Sequence, residues 1–135
     1  MGGGEAAGHV LGVGVDLVEV ARVERLLRHR RAADRLFTPA ERAAAGDGAM
    51  RLERLAARFA AKEAVVKALG GVGRLGFHDI EVVRPPGGPA SVALRGRAAE
   101  RARERGVVTV LVSMSHVGAY AVAQAAALGR CPCAS

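Results

Sequence analysis

Two acidic residues, Asp16 and Glu63, stand in apolar surroundings and are the first candidates for chemistry. Asp16 follows the apolar stretch HVLGVGV at residues 9–15. Glu63 lies in a segment with helical periodicity. At 100° per residue it points within about 20° of Leu52, on the same apolar stripe as Phe59. A carboxylate in such a place is costly unless it is protonated, paired or bound to a cation. Both residues therefore need a partner.

Each carboxylate also has an ordinary structural explanation. Asp16 could cap the helix that follows it, and Glu63 could pair with Lys67 four residues on, an interaction worth about 0.2 to 0.5 kcal/mol. Two carboxylates on rigid elements, surrounded by Lys and Arg, instead favour a hard divalent cation. Mg²⁺ is typically held by one or two carboxylates together with substrate phosphates, whereas zinc prefers His and Cys.

Basic and glycine-rich residues follow Glu63 along the chain. The basic residues on the same predicted helix are Arg58, Lys62 and Lys67. Residues 70–76 spell GGVGRLG, a GxGxxG spacing that follows a helix and so is not a Rossmann motif. This segment could be a helix stop and loop, or it could offer free backbone N–H groups to a phosphate. His116, predicted on a turn between two strands, reads from the pattern alone as a polar surface residue.

The elements that position these residues alternate between strand and helix. The pattern predicts strands over 9–15, 80–82, 91–94, 107–114 and 119–126, and helices over about 19–30, 39–46, 50–69 and 97–105. No repeat or linker interrupts them. We therefore expect a single α+β domain over residues 9–128, with antiparallel strands, a long central helix and flexible tails at 1–8 and 129–135.

Composition narrows the class of function. The chain has 135 residues, of which 50% are hydrophobic, and a formal charge of +7. This excludes a two-domain enzyme and wholesale disorder, and it favours phosphate-rich or acidic partners. Three Phe, one Tyr and no Trp offer few platforms for nucleic-acid bases. Cys131 and Cys133 lack further ligands for a zinc site, and the N-terminus does not resemble a secretion signal, so we expect a cytoplasmic protein without a membrane partner.

Taken together, these segments resemble the holo-(acyl-carrier-protein) synthases, the small trimeric type of 4′-phosphopantetheinyl transferase. The similarity extends over residues 10–128. The matching segments, in order, are GVGVDLVEVARV (12–23), RLFTPAE (35–41), RFAAKEAVVKALGGVG (58–73), FHDIEV (77–82) and SMSHVGAYAVA (113–123).

The resemblance implies a transferase fold, a homotrimer with each site at a junction between subunits, and a reaction. A serine of an apo acyl carrier protein attacks CoA, takes up 4′-phosphopantetheine and releases 3′,5′-ADP. The implied magnesium ligands are Asp16 and Glu63, with Lys67 as a further catalytic residue. The positions that match CoA contacts are Lys62, Lys67, Gly71, Gly73 and His116. Arg58, a basic residue of the same predicted helix, is expected to bind CoA with them.

The first predicted helix carries arginines that fit the acidic surface of a carrier protein: Arg22, Arg25 and Arg28. A solvated helix face is the alternative. Many relatives have a threonine where this chain has Gly71, and a hydroxyl or acidic residue where it has Val117. The loss of those side chains in this chain would remove one polar contact to CoA or to the metal's water. Two other functions remain open from the residues: a basic nucleic-acid-binding module without catalysis, and a metal-dependent nucleotide hydrolase.

Overall fold

The computed structural model describes residues 8–71 and 76–130, which form one antiparallel sheet with helices packed against one face. The strands are β1 (Gly8–Glu19), β2 (Ile80–Val83), β3 (Ser91–Leu94), β4 (Val107–Val117) and β5 (Tyr120–Arg130). The helices are α1 (Val20–Leu27), α2 (Ala32–Leu36), α3 (Pro39–Ala45), α4 (Arg51–Ala68) and α5 (Gly96–Glu104), with a 3₁₀ turn at Phe77–Asp79. This confirms the predicted α+β class.

The sheet has the strand order β1-β5-β4-β3-β2, so that β1 is an edge strand. Asp16 on β1 pairs with Ala123 on β5, which in turn pairs with Met114 on β4. Along β5 the alternate residues that face the helices are buried alanines at 121, 123, 125 and 127. These small side chains let a helix approach the sheet closely.

Helix α4 is the centre of the core. It packs against β1, β5 and β4, and every residue from 55 to 62 is buried. A single apolar stripe would bury only one side of the helix, but α1, α3 and β2 cover its other sides. The glycine signal at its end is confirmed, because Gly70 and Gly71 have φ of 108° and 67° and the Gly71 N–H donates to the Val66 carbonyl at 2.9 Å.

Several predicted boundaries were wrong, and two of them concern site residues. β1 continues to Glu19, so Asp16 lies inside a strand, and Glu19 rather than Asp16 occupies the N-cap of α1. β4 continues to Val117, so His116 lies on a strand and not on a turn. β5 likewise runs to Arg130, beyond the predicted domain end. In each case backbone pairing with the neighbouring strand extends the element further than its apolar pattern.

The other face of the sheet is apolar and exposed in the single chain. Val13 is 69% exposed and Val117 77% exposed, and Val15, Leu17 and Leu111 are also mostly exposed. A shallow cavity of about 720 Å³ crosses this face. Apolar surface on this scale is unusual for a soluble monomer.

The helices of residues 8–71 and 76–130 include none that is both long and apolar enough to cross a lipid bilayer.

Candidate active site

Two glycines bring β1 against the C-terminal half of α4. A Cβ at Gly12 would lie 2.1 Å from the Ala68 carbonyl oxygen, and one at Gly14 would lie 2.0 Å from that of Ala64. No side chain fits at either position, so the GxGxD spacing is a condition of close strand–helix contact. The contact places Asp16, two residues after Gly14, beside the last turns of the helix.

Asp16 is mostly buried and makes an ion pair with Lys67. The Lys67 Nζ atom lies 3.1 Å from Asp16 Oδ1 and donates to the Val15 carbonyl oxygen at 2.9 Å. The side chain of Asp16 is 16% exposed and that of Lys67 is 50% exposed. Lys67 therefore pairs across elements with Asp16 instead of along the helix with Glu63, while its ammonium remains accessible to a ligand.

Glu63 faces the same cluster from α4. Burial raises the pKa of Glu63, and the neighbouring Asp16 carboxylate raises it further, while Lys67 and Arg22 act in the opposite direction. The two carboxylates thus repel each other across the strand–helix contact, and a cation between them would relieve that repulsion. Sequence reasoning isolated both residues, and in the structure the Asp16 carboxylate acts on the charge of Glu63.

The donor set of this cluster fits magnesium. Both side chains offer hard oxygen ligands, and within residues 8–71 and 76–130 no group of three or more His, Cys, Asp or Glu could hold a metal ion. A cation held by two carboxylates must take its remaining oxygens from substrate or water, which is how proteins usually bind Mg²⁺.

Lys62 lies elsewhere, in contrast to the prediction that it contacts CoA. Its side chain is 0% exposed and its Nζ atom lies 2.5 Å from Glu41 Oε1. The same ammonium donates to the carbonyl oxygens of Leu36 at 2.9 Å and Phe77 at 2.8 Å. Three acceptors use all three of its protons. In this position Lys62 does not reach a ligand at the surface.

The Glu41 carboxylate is equally well satisfied. Its Oε1 accepts from the Thr38 N–H at 2.9 Å and its Oε2 accepts from the Val82 N–H at 2.7 Å. Thr38 in return caps α3 by accepting from the Glu41 N–H, which completes a capping box. Burial lowers the pKa of Lys62, and the Glu41 carboxylate partly offsets this effect.

A second cluster of basic residues surrounds a cavity of about 330 Å³. Three arginines line it, Arg54, Arg58 and Arg84, together with His116, and no acidic residue lines it. Arg58 is only 5% exposed, and its buried Nε atom has no hydrogen-bond partner within the described residues. Burial lowers the pKa of Arg58, the Glu41 carboxylate partly offsets this effect, and the charges of Arg84 and Arg54 lower the pKa further. These features favour an anionic ligand.

Sequence reasoning named Arg58 and His116 but missed Arg54 and Arg84. Arg54 lies one turn before Arg58 on α4, a spacing that sequence shows. Arg84 follows β2 and joins the cluster only through the tertiary fold. His116 and Asp16 lie on strands separated by β5, so the two clusters occupy different parts of one chain.

The remaining predicted residues lie as follows. Arg22, Arg25 and Arg28 are exposed at α1, and the Arg22 guanidinium carbon lies 5.8 Å from the centre of the Phe59 ring. Gly71 is exposed just after α4. Gly73 lies outside the described residues.

Comparisons with known proteins agree on one family. A family model described as the 4′-phosphopantetheinyl transferase superfamily matches residues 12–125. A holo-[acyl-carrier-protein] synthase from Moorella thermoacetica is 50% identical over 118 residues, covering 86% of this chain and 92% of that protein.

Solved structures show the same similarity. A holo-ACP-synthase from Plasmodium yoelii superposes with a TM-score of 0.79 at 31% identity, covering 91% of this chain and 98% of that one. A holo-(acyl-carrier-protein) synthase from Bacillus anthracis in complex with CoA (3′,5′-ADP) gives a TM-score of 0.73 at 33% identity, covering 91% and 99%. With its fold, its paired carboxylates and the match over residues 12–125, the chain belongs to the 4′-phosphopantetheinyl transferase superfamily.

Proposed function

We propose that this protein transfers 4′-phosphopantetheine from CoA to a serine of an apo acyl carrier protein and releases 3′,5′-ADP. The observation that carries the proposal is the ion pair of Asp16 with the half-exposed Lys67, together with the effect of both charges on the Glu63 carboxylate. The names of the relatives, and the CoA-bound structure among them, support the same reaction.

Asp16 and Glu63 would hold Mg²⁺, which when bound would neutralise charge on the pyrophosphate of CoA. Lys67 would place a second positive charge beside the departing phosphate. Glu63 is our candidate for accepting the serine proton as the new oxygen–phosphorus bond forms.

The cavity around Arg58 and His116 would bind another phosphate of CoA. Arg58 is already buried and fixed, so little side-chain freedom is lost when the anion binds. Arg54 and Arg84 would add positive charge, and no acidic residue is among those that line the cavity.

We infer a homotrimer in which the site is completed between subunits. Two observations support it: the exposed apolar face of the sheet, and the separation of the Asp16 cluster from the His116 cavity by strand β5. An assembly that buries this face would bring the Asp16 cluster of one copy near the cavity of another. Arg22, Arg25 and Arg28 would then dock the acidic carrier protein, with the reaction placed in the cytoplasm.

Intact-mass spectrometry of the carrier tests the reaction. We expect incubation with the protein, CoA and Mg²⁺ to add the mass of one phosphopantetheine group, and EDTA, Asp16→Ala or Glu63→Ala to prevent it. Release of phosphate from nucleotides without a carrier would instead indicate a hydrolase. Salt-dependent RNA binding with no response to CoA would indicate a nucleic-acid-binding module.

Subunit complementation tests the shared site. Asp16→Ala and Arg58→Ala damage different clusters, so mixing the two variants through unfolding and reassembly should restore part of the activity when CoA is kept far below the KM of Arg58→Ala, where neither variant alone is active. A mixture that stays inactive after verified subunit exchange would contradict a site shared between copies.

A further inference from the structure

An aromatic pair lies behind the docking helix α1. The rings of Phe59 and Phe77 meet edge to face with their centres 5.6 Å apart. The Arg22 guanidinium lies over the Phe59 ring at 5.8 Å from its centre. The pair therefore connects the protein interior to one arginine of the proposed docking surface.

The rings are held firmly in place. Phe59 is 5% exposed on α4, and an edge-to-face contact fixes the relative orientation of the two rings. The carbonyl of Phe77 accepts a hydrogen bond from the buried ammonium of Lys62 at 2.8 Å, and that ammonium also lies 5.9 Å from the centre of the Phe77 ring. The Phe59 ring that faces Arg22 is thus packed into the core.

Arg22 has no carboxylate partner within 4.0 Å among the described residues, although it lies on an exposed helix. A free arginine would sample many rotamers, and ordering it on binding would weaken affinity. When the flat face of the guanidinium lies on an aromatic ring, the arginine side chain has fewer accessible rotamers. The N–H donors at its edge stay available for a carboxylate.

Arg22 also lies between the proposed docking surface on α1 and the proposed catalytic cluster of Asp16 and Glu63. It belongs to α1, yet it lies over Phe59, which is one helical turn before Glu63 on α4. A carrier protein that pairs with Arg22 would therefore be held next to the proposed catalytic cluster. Arg25 and Arg28, farther along α1, make no such contact with a described aromatic ring.

We propose that Phe59 is a positioning residue for carrier-protein recognition, which preorients the Arg22 guanidinium toward an acidic side chain of the carrier. The inference rests on the proposed function, in which Arg22 belongs to the docking surface. It distinguishes Arg22 from Arg25 and Arg28 as the arginine whose orientation is set before the carrier arrives.

A double-mutant cycle between the two residues tests the proposal. Phe59→Met, Arg22→Met and the double variant are titrated with the apo carrier protein of a bacterial fatty-acid synthase by calorimetry, and KM and kcat are measured alongside. We expect Phe59→Met to raise the carrier Kd about 2- to 5-fold, the range of an exposed cation–π contact. The KM for CoA and kcat at saturating carrier should change little.

The decisive comparison is the effect of Phe59→Met when Arg22 is already methionine. We expect no further rise in the carrier Kd in that background. An equal rise in both backgrounds, or no rise in either, would overturn the proposal, because a general packing defect is independent of Arg22. Phe37→Met is the matched control: Phe37 is a buried ring away from Arg22, so this variant should lose stability and keep the carrier Kd.

If Phe59→Met does not fold, 3,5-difluorophenylalanine at position 59 keeps the ring's shape and weakens its negative face. The carrier Kd should then rise in the Arg22 protein and stay constant in Arg22→Met, and an unchanged Kd in the Arg22 protein would overturn the proposal. Failure of the proposed function is a separate result: Arg22→Met would leave the carrier Kd unchanged, or the carrier would not gain phosphopantetheine.

Discussion

Replacing Lys62 by methionine tests whether this lysine stabilises the fold or binds the ligand. The ammonium is fully buried 2.5 Å from Glu41, and two backbone carbonyls take its other protons. Methionine fills similar volume but leaves the Glu41 carboxylate buried without its cation. Breaking a buried pair in this way costs about 3 to 5 kcal/mol. That is a large part of the about 5 to 15 kcal/mol that stabilises a typical domain.

Urea unfolding followed by circular dichroism measures the loss. With an m-value of about 1.5 kcal/mol/M, we expect the midpoint to fall by about 2 to 3 M. Protein concentration must be held constant, because subunit association would contribute to the midpoint. Lys67→Met is the matched control on the same helix: its lysine is half exposed, so the midpoint should fall much less than in Lys62→Met while activity is lost.

Glu41→Gln completes the comparison. It removes the charge that Lys62 neutralises and keeps an oxygen that can accept from the backbone. The double variant Lys62→Met, Glu41→Gln should lose less stability than the sum of the two single variants, because neither charge is then left alone. A Lys62→Met protein with the midpoint of the unchanged chain and a weakened affinity for CoA would refute this reasoning and place Lys62 at the ligand.

Three further predictions follow from other contacts. Arg58→Ala should raise the KM for CoA at least tenfold and leave carrier affinity intact, because it removes the buried cation of the cavity; equal effects on both would contradict this assignment. Arg25→Glu should raise the KM for the carrier with CoA affinity intact, and an unchanged KM would exclude Arg25 from docking. Hydrogen bonds from Thr38 and Arg95 lower the pKa of Glu81 in the folded protein. Ionised Glu81 therefore stabilises the fold at pH values above its ordinary pKa, and this stabilisation is lost as the pH falls through the lowered pKa of the folded state. Glu81→Gln should therefore lower the urea midpoint at pH 7, with the difference closing below about pH 4, and a constant difference would contradict it.

Much of the fold could be predicted from local signals. The Thr38 cap, the glycine stop after α4 and the hairpin strand Ser91–Leu94 depend on neighbouring residues, and the structure has each of them. The two glycines before Asp16 also indicated a close backbone approach, and Ala64 and Ala68 prove to be the partners. Short-range chemistry determines these features, so a single sequence displays them.

The rest depends on contacts between distant parts of the chain. Lys62 falls off the apolar stripe of α4 and reads as exposed, but the segments that contain Glu41 and Phe77 cover that side of the helix. Arg84 likewise lies far from Arg58 in sequence, and only the tertiary fold brings both residues to one cavity. His116 reads as a turn residue because its strand is completed by pairing with Ala121 of β5. Periodicity within one element carries no information about any of these partners.

Manganese binding tests most directly whether Asp16 and Glu63 hold one metal ion, since Mn²⁺ replaces Mg²⁺ at oxygen sites and gives an electron paramagnetic resonance signal. Titration of the protein in the presence of CoA should show one bound Mn²⁺ per chain, and Asp16→Asn and Glu63→Gln should each abolish that binding. Stoichiometric Mn²⁺ binding with CoA in either variant would contradict the claim that these two carboxylates hold one metal ion together.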